Sequence, residues 1–163
     1  MPAKTVREVM ITDVISLQPE DRIQKAIETF RDNKISGAPV VDDESKVIGV
    51  LSEADIINLT SIISLPDIEL NPFNPFVFLT IRKYWKRVRE MPDEIKQRYD
   101  TLLNGSVKDV MSTEPVTVTA DTSVSEASRI MSEKDFNRLP VVDKEGKLAG
   151  VVARQDILGI IVK

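Results

Sequence analysis

ISGAPVVDDESKVIGVLSEADII, residues Ile35–Ile57, is written a second time as FNRLPVVDKEGKLAGVVARQDIL, residues Phe136–Leu158. Extending both stretches toward the N-terminus keeps them in register. VREVMITDVISLQPED from Val6 lies over VKDVMSTEPVTVTADT from Val107, without a gap, at a constant offset of 101 residues. The 52 aligned positions hold 15 identities, and many of the others exchange one apolar residue for another. A repeat of about fifty residues raises the question of a solenoid, but two copies are too few for one. They suit two like halves packed face to face.

Each copy carries the same order of elements. In the first, Val14–Leu17 is a short apolar run ending at the turn signal Pro19-Glu20-Asp21. Ile23, Ala26, Ile27 and Phe30 then fall at i, i+3, i+4 and i+7, the stripe of an amphipathic helix, with Asp21 placed to cap it. Pro39-Val40-Val41 and Val47–Leu51 flank the polar tract Asp42–Lys46 and predict a hairpin. Helical spacing resumes over Ser52–Leu59. The second copy repeats this with Val116–Val118, a helix bearing Val124, Ala127, Ile130 and Met131, then Val141-Val142, Leu148–Val152 and Asp156–Ile161. The fold class is therefore α/β (α+β): two pseudo-symmetric β-α-β-β-α repeats packed sheet to sheet. Neither small sheet has helices enough to cover it, and symmetry implies two equivalent clefts between the halves.

Residues 64–105 belong to neither copy and divide the chain into a first repeat at 1–63, a helical insertion, and a second repeat at 106–163. The insertion opens with LPDIELNPFNPF and predicts helices over Phe76–Arg89 and Pro92–Leu103, with Pro92 in a first turn. It holds six of the eight aromatic residues: Phe73, Phe76, Phe78, Tyr84, Trp85 and Tyr99. Arg82–Arg89 carries five cations with interleaved aromatics. On a helix these cations wrap over much of the surface, so a solvated face is the better reading than a nucleic-acid patch.

Composition narrows the function. The net charge of −4 gives no global attraction to nucleic acid or anionic lipid. The 163 residues include no cysteine and no histidine, which removes disulfides, thiol nucleophiles, the usual general base and the commonest metal ligand. No stretch approaches the roughly 18 apolar residues of a membrane span. The expectation is a cytoplasmic protein with no enzymatic activity, no metal and no membrane partner.

Three features stand out as candidate contacts. Gly49 and Gly150, inside the second strand of each hairpin, mark either a bulge or a close approach of backbone or ligand. Ser52-Glu53-Ala54-Asp55 resembles a helix-capping box, whereas its counterpart Ala153-Arg154-Gln155-Asp156 keeps the aspartate without the hydroxyl. An aspartate retained without its capping partner fits a ligand role, such as accepting hydrogen bonds from ribose hydroxyls. Arg138 stands where the first copy has Gly37; alone, it is an ordinary surface or salt-bridge arginine.

The VxDVM-like start, the PVVD strand in SGAPVVD and NRLPVVD, and the GVLSxxD and GVVxxxD endings occur in order, twice. In this the chain resembles a tandem pair of CBS domains, named for cystathionine β-synthase. The resemblance implies an allosteric module that binds adenosine nucleotides or related molecules (AMP, ADP, ATP, NAD, S-adenosylmethionine) in two clefts. Carried over by position, one site would use Asp156 and Arg138 with Thr12, Val14, Ile35 and Ser36, and it departs from the family pattern at Ala153. The other would use Ser52 and Asp55 with Thr113, Val116, Phe136 and Asn137, and it departs at Gly37. A charge-assisted arginine contact outweighs a neutral hydroxyl, which favours the Asp156/Arg138 site for a phosphorylated ligand. IMP dehydrogenase carries such a pair too, but its catalytic barrel and nucleophilic cysteine have no counterpart in this sequence.

The expectation is a stand-alone regulatory module with AMP as its foremost ligand and no cofactor, passing energy or metabolite status to an unidentified regulated protein. A homodimer is expected because Ile56, Ile57, Ile157, Ile160 and Ile161 offer more apolar area than one copy covers. A scaffold with vestigial clefts, or nucleic-acid binding through Arg82–Arg89, are the alternatives.

Overall fold

A computed structural model of the chain describes residues 4–61 and 93–161. Within them the first repeat supplies α1 (Ile23–Asn33), β1 (Gly37–Val41), β2 (Val47–Ser52) and α2 (Glu53–Ser61). Helix α3 (Asp93–Asn104) follows, and the second repeat supplies β3 (Val118–Thr119), α4 (Val124–Lys134), β4 (Arg138–Val142), β5 (Leu148–Ala153) and α5 (Arg154–Ile161). Strands β1 and β2 form one small sheet and β3-β4-β5 another, with β3 parallel to β4 and β4 antiparallel to β5. The α/β class agrees with the sequence, as does the helix-strand-strand-helix order within each repeat.

Contacts divide the chain into two compact units, and each draws on both repeats. The first unit comprises Met1–Ser16, Pro39–Gly49 and Thr113–Lys163. The second comprises Leu17–Ala38 and Val50–Ser112. In the first, the N-terminal arm is laid on elements of the second repeat. Val6 N–H donates to the Thr122 carbonyl at 2.8 Å, Arg7 N–H to Ala120 at 2.9 Å, and Ile11 and Val151 exchange two backbone bonds at 2.8 and 2.9 Å. Val6 is wholly buried in a cluster with Val118, Ala127, Met131, Leu139, Val141, Val152 and Ile157. In the second unit the corresponding arm of the second repeat is laid on the first. Val107 N–H donates to the Asp21 carbonyl at 2.8 Å, Lys108 N–H to Pro19 at 3.0 Å, and Ser112 and Val50 exchange bonds at 2.9 and 3.1 Å. Val107 is as completely buried as Val6, beside a unit whose buried residues include Leu17, Ile23, Ala26, Phe30, Leu51 and Leu103.

The two hairpin turns are alike and joined. Asp42 Oδ1 accepts the Glu44 and Lys46 amides, and Asp143 Oδ1 accepts those of Glu145 and Lys147, so the aspartate of each PVVD strand shapes a turn. Val47 N–H donates to the Gly146 carbonyl and Leu148 N–H to that of Ser45.

Four expectations are corrected. Val14–Leu17 forms no regular strand; it contributes a single bridge residue at Leu17, and β3 is only two residues long. Short strands depend on their partners more than on their own propensity. Arg22, not Asp21, is the N-cap of α1. The Asp21 carboxylate is drawn instead to the Gln18 amide (2.9 Å) and the Lys25 ammonium (2.6 Å). Ile56, Ile57 and Ile157 are buried within the chain and offer no outward face, whereas Leu158 is 59% exposed. The side chains of Ile160 and Ile161 lie outside the described residues, as do the helix expected over Phe76–Arg89, the cluster Arg82–Arg89 and Pro92. The helix after Pro92 forms as α3, which packs against α1 through a face that buries Leu103.

Candidate functional site

The motif residues gather where a hairpin strand ends and a helix begins. In the second unit, β2 finishes at Ser52 and α2 starts at Glu53. The Asp55 carboxylate turns back on this junction: Oδ2 accepts the Ser52 amide at 2.8 Å and the Ser52 hydroxyl at 2.6 Å, while Asp55 N–H points to Ser52 Oγ at 3.3 Å. Glu53 N–H donates to the Ser36 carbonyl at 3.0 Å, which fixes the 35–36 turn beside the junction. Ile35, Ser36, Ser52 and Asp55 therefore share one corner of this unit.

The first unit repeats the corner with one atom fewer. Asp156 Oδ2 accepts the Ala153 amide at 2.9 Å, so the aspartate still caps its helix after the hydroxyl is lost. Retention of Asp156 thus does not by itself demand a ligand, and that step of the sequence argument is corrected. No other hydrogen bond reaches either the Asp55 or the Asp156 carboxylate among the described residues, which leaves Oδ1 of each uncommitted there. Arg138 opposes Ala153 in the β4–β5 register, placing a guanidinium-bearing residue across the strand pair from the junction. Ile11 pairs with Val151, two residues before Ala153, so the chain enters Thr12 and Val14 from this same strand. Arg154 N–H donates to the Asn137 carbonyl at 2.9 Å.

Of the twelve predicted site residues, Thr12, Val14, Thr113, Val116, Phe136, Asn137, Arg138 and Asp156 fall in the first unit. Ile35, Ser36, Ser52 and Asp55 fall in the second. Phe136 is 38% exposed, unusual for a phenylalanine, and Thr12, Ser36, Thr113 and Asn137 are exposed as well. A surface hollow of about 290 Å³ over the start of α1, lined by Glu20, Asp21, Arg22, Gln24, Lys25 and Glu28, contains none of the twelve. No group of three or more metal-ligating side chains occurs among the described residues. No helix among them is long and apolar enough to cross a membrane.

Sequence reasoning gave no role to Arg154, whose guanidinium spans Phe136, Met131 and Asp135. Its signal was present: the first copy has Glu53 there, a reversal of charge within a motif otherwise held in register.

The sequence model of the CBS domain matches residues 6–61 and 107–163. The chain belongs to the CBS domain family. Its two CBS repeats are 31% identical over 154 residues to the uncharacterized protein MJ1426 of Methanocaldococcus jannaschii, covering 94% of this chain and 88% of that one. They are also 31% identical over 142 residues to the chloroplastic CBS domain-containing protein CBSX2 of Arabidopsis thaliana, covering 87% of this chain but only 56% of CBSX2. Among solved structures, CBSX2 in complex with AMP superimposes with a TM-score of 0.69 at 24% identity, over 97% of this chain and 96% of that one. The CBS domain pair of MJ0100 in complex with 5-methylthioadenosine and S-adenosyl-L-methionine gives 0.69 at 17% identity, over 99% and 98%. At these identities the structural matches establish the fold.

Proposed function

We propose that this CBS pair is a non-catalytic regulatory module that binds an adenine nucleotide, AMP foremost, and passes energy or metabolite status to a partner protein. Asp156 accepts hydrogen bonds from the ribose hydroxyls and Arg138 holds the phosphate, with Thr12 and Val14 of the same unit beside the base. In the second unit the corner of Ser52 and Asp55, which also holds Ile35 and Ser36, is the counterpart candidate. The observation that carries this reading is the carboxylate of Asp156. It spends one oxygen on its own helix terminus, keeps the other uncommitted among the described residues, and has Arg138 across the strand pair. A helix N-terminus adds further donors for a hydroxyl or anion. Support comes also from the AMP held by CBSX2 and the adenosine derivatives held by the MJ0100 pair.

Asp156→Asn is the informative variant, because an amide oxygen can still cap Ala153 while the charge is gone. Calorimetry is expected to show AMP binding weakened roughly ten- to hundredfold, the worth of a hydrogen bond to a charged group, with the melting temperature of the ligand-free protein nearly unchanged. Arg138→Ala is expected to weaken AMP far more than adenosine, since only AMP presents a phosphate. Equal losses for the two ligands would remove Arg138 from the phosphate. We also propose a homodimer, now on the narrower ground of the exposed Leu158. Light scattering that returns the 18.3 kDa of a single chain at micromolar concentration would refute it.

A further inference from the structure

Arg154 opens α5 and sends its guanidinium back over the turn that joins α4 to β4. Nε donates to the Phe136 carbonyl at 2.9 Å, and Nη2 donates to the Met131 carbonyl at 2.9 Å while lying 3.3 Å from Asp135 Oδ1. With the backbone bond to the Asn137 carbonyl, this one residue ties down Met131, Asp135, Phe136 and Asn137 together. Backbone bonds from the Asp135 and Phe136 amides to the Met131 carbonyl close the helix end, and the guanidinium adds side-chain ties to it. Asp135 is a non-glycine residue at φ 55°, and Phe136 and Asn137 are exposed, so burial does not fix their direction. A planar guanidinium with donors in a rigid fork can satisfy two diverging carbonyls at once, which a single ammonium does less well. The first repeat makes the same turn, with Lys34 at φ 55° and Glu53 N–H bonded to the Ser36 carbonyl. Glu53 has only acceptor oxygens when ionised and cannot donate to helix-end carbonyls. Glu53, in the equivalent place, therefore cannot make this clasp.

We propose that Arg154 is a positioning residue for ligand binding: it holds Phe136 and Asn137, and through them the start of β4 at Arg138, in the direction the ligand meets. The inference rests on the reading that Arg138 holds the phosphate of the nucleotide. The test uses the full chain as wild type, R154M and R154K, with AMP as the probe. Calorimetry is paired with amide hydrogen exchange over residues 135–138 and the melting temperature of ligand-free protein. R154M is expected to lose AMP affinity on the order of tenfold, the scale of one charge-assisted hydrogen bond. Exchange over 135–138 is expected to rise in parallel while melting stays nearly constant, and R154K, which keeps one donor, falls between. Wild-type affinity in R154M would overturn the proposal. Lost affinity with unchanged exchange over 135–138 would overturn it too, because Arg154 would then be a ligand contact. If R154M does not fold, R154K carries the same readouts, and wild-type values for both would overturn it. A wild-type chain that binds no AMP would instead remove the nucleotide reading beneath.

Discussion

Gly150 has no room for a side chain. A Cβ there would lie 2.9 Å from the Ile11 carbonyl oxygen and 3.0 Å from Met10 Sδ, and the backbone contact cannot yield without opening the Ile11–Val151 pair. Gly150→Val is expected to cost about 1–3 kcal/mol, the range for overpacking a tight site, as measured by urea denaturation. The sequence left two meanings open for this glycine, close approach or bulge, and both are realised within one residue of each other. The strand register slips between Val141 and Val142, opposite Ala149. Gly37 is tight for a different reason: its Cβ would meet the Leu51 carbonyl oxygen at 2.9 Å and Ser52 Cα at 3.2 Å. The absence of an arginine from the first repeat is therefore enforced by the backbone. Gly37→Arg is expected to destabilise the protein rather than install a second phosphate grip, so the number of AMP molecules bound in calorimetry should not rise.

Helix starts are where the two repeats can be compared directly, because nature has already made one substitution. Ser52 and Ala153 occupy equivalent junctions, each closed by its aspartate. Ser52→Ala is expected to cost about 0.5–2 kcal/mol and Ala153→Ser to recover part of that amount, read as shifts in the denaturation midpoint. The 3-10 turns at Val6–Glu8 and Val107–Asp109 are closed in the same manner, by Thr5 with Glu8 and by Ser106 with Asp109. Hydrogen bonds from the Ser106 hydroxyl and amide hold the Asp109 carboxyl below the usual range, and Arg7 does the same for Asp121. A carboxyl whose folded pKa is depressed stabilises the fold fully above its unfolded value and loses that contribution as pH falls through the folded one. Both arms are therefore expected to loosen below about pH 4, seen as faster exchange of the Val6 and Val107 amides than of the Leu139 amide. Elements of this kind were partly legible beforehand. Of the stripe Ile23, Ala26, Ile27 and Phe30, all but the half-buried Ile27 are buried, and both hairpins sit where the β-branched runs placed them. The edge run Val14–Leu17 misled because a strand is completed by its neighbour, and the cap of α1 misled because Asp21 is pulled toward Gln18 and Lys25. Aligning the copies singles out the aspartates and Arg138 as candidates. The alignment also marks Arg154, as a charge reversal against Glu53, but which carbonyls it reaches is set by the fold.

At the scale of the whole molecule the informative fact is that neither compact unit is made from one repeat. The apolar pattern of Val6, Val9 and Met10 says that the first arm is buried, but no periodicity says against which copy. The acceptors of that arm are Ala120, Thr122 and Val151, all in the second repeat, while the first repeat receives Gly105 through Ser112 in return. Residues 1–63 expressed alone are accordingly expected to show poorly dispersed NMR spectra, and adding residues 64–163 as a separate chain is expected to restore a folded complex. A well-dispersed, monomeric 1–63 would contradict the exchange. The same dependence sets a lower limit on copy number. A single repeat of this pattern leaves its arm without acceptors, so it can be completed only by a second copy, on the same polypeptide or on another.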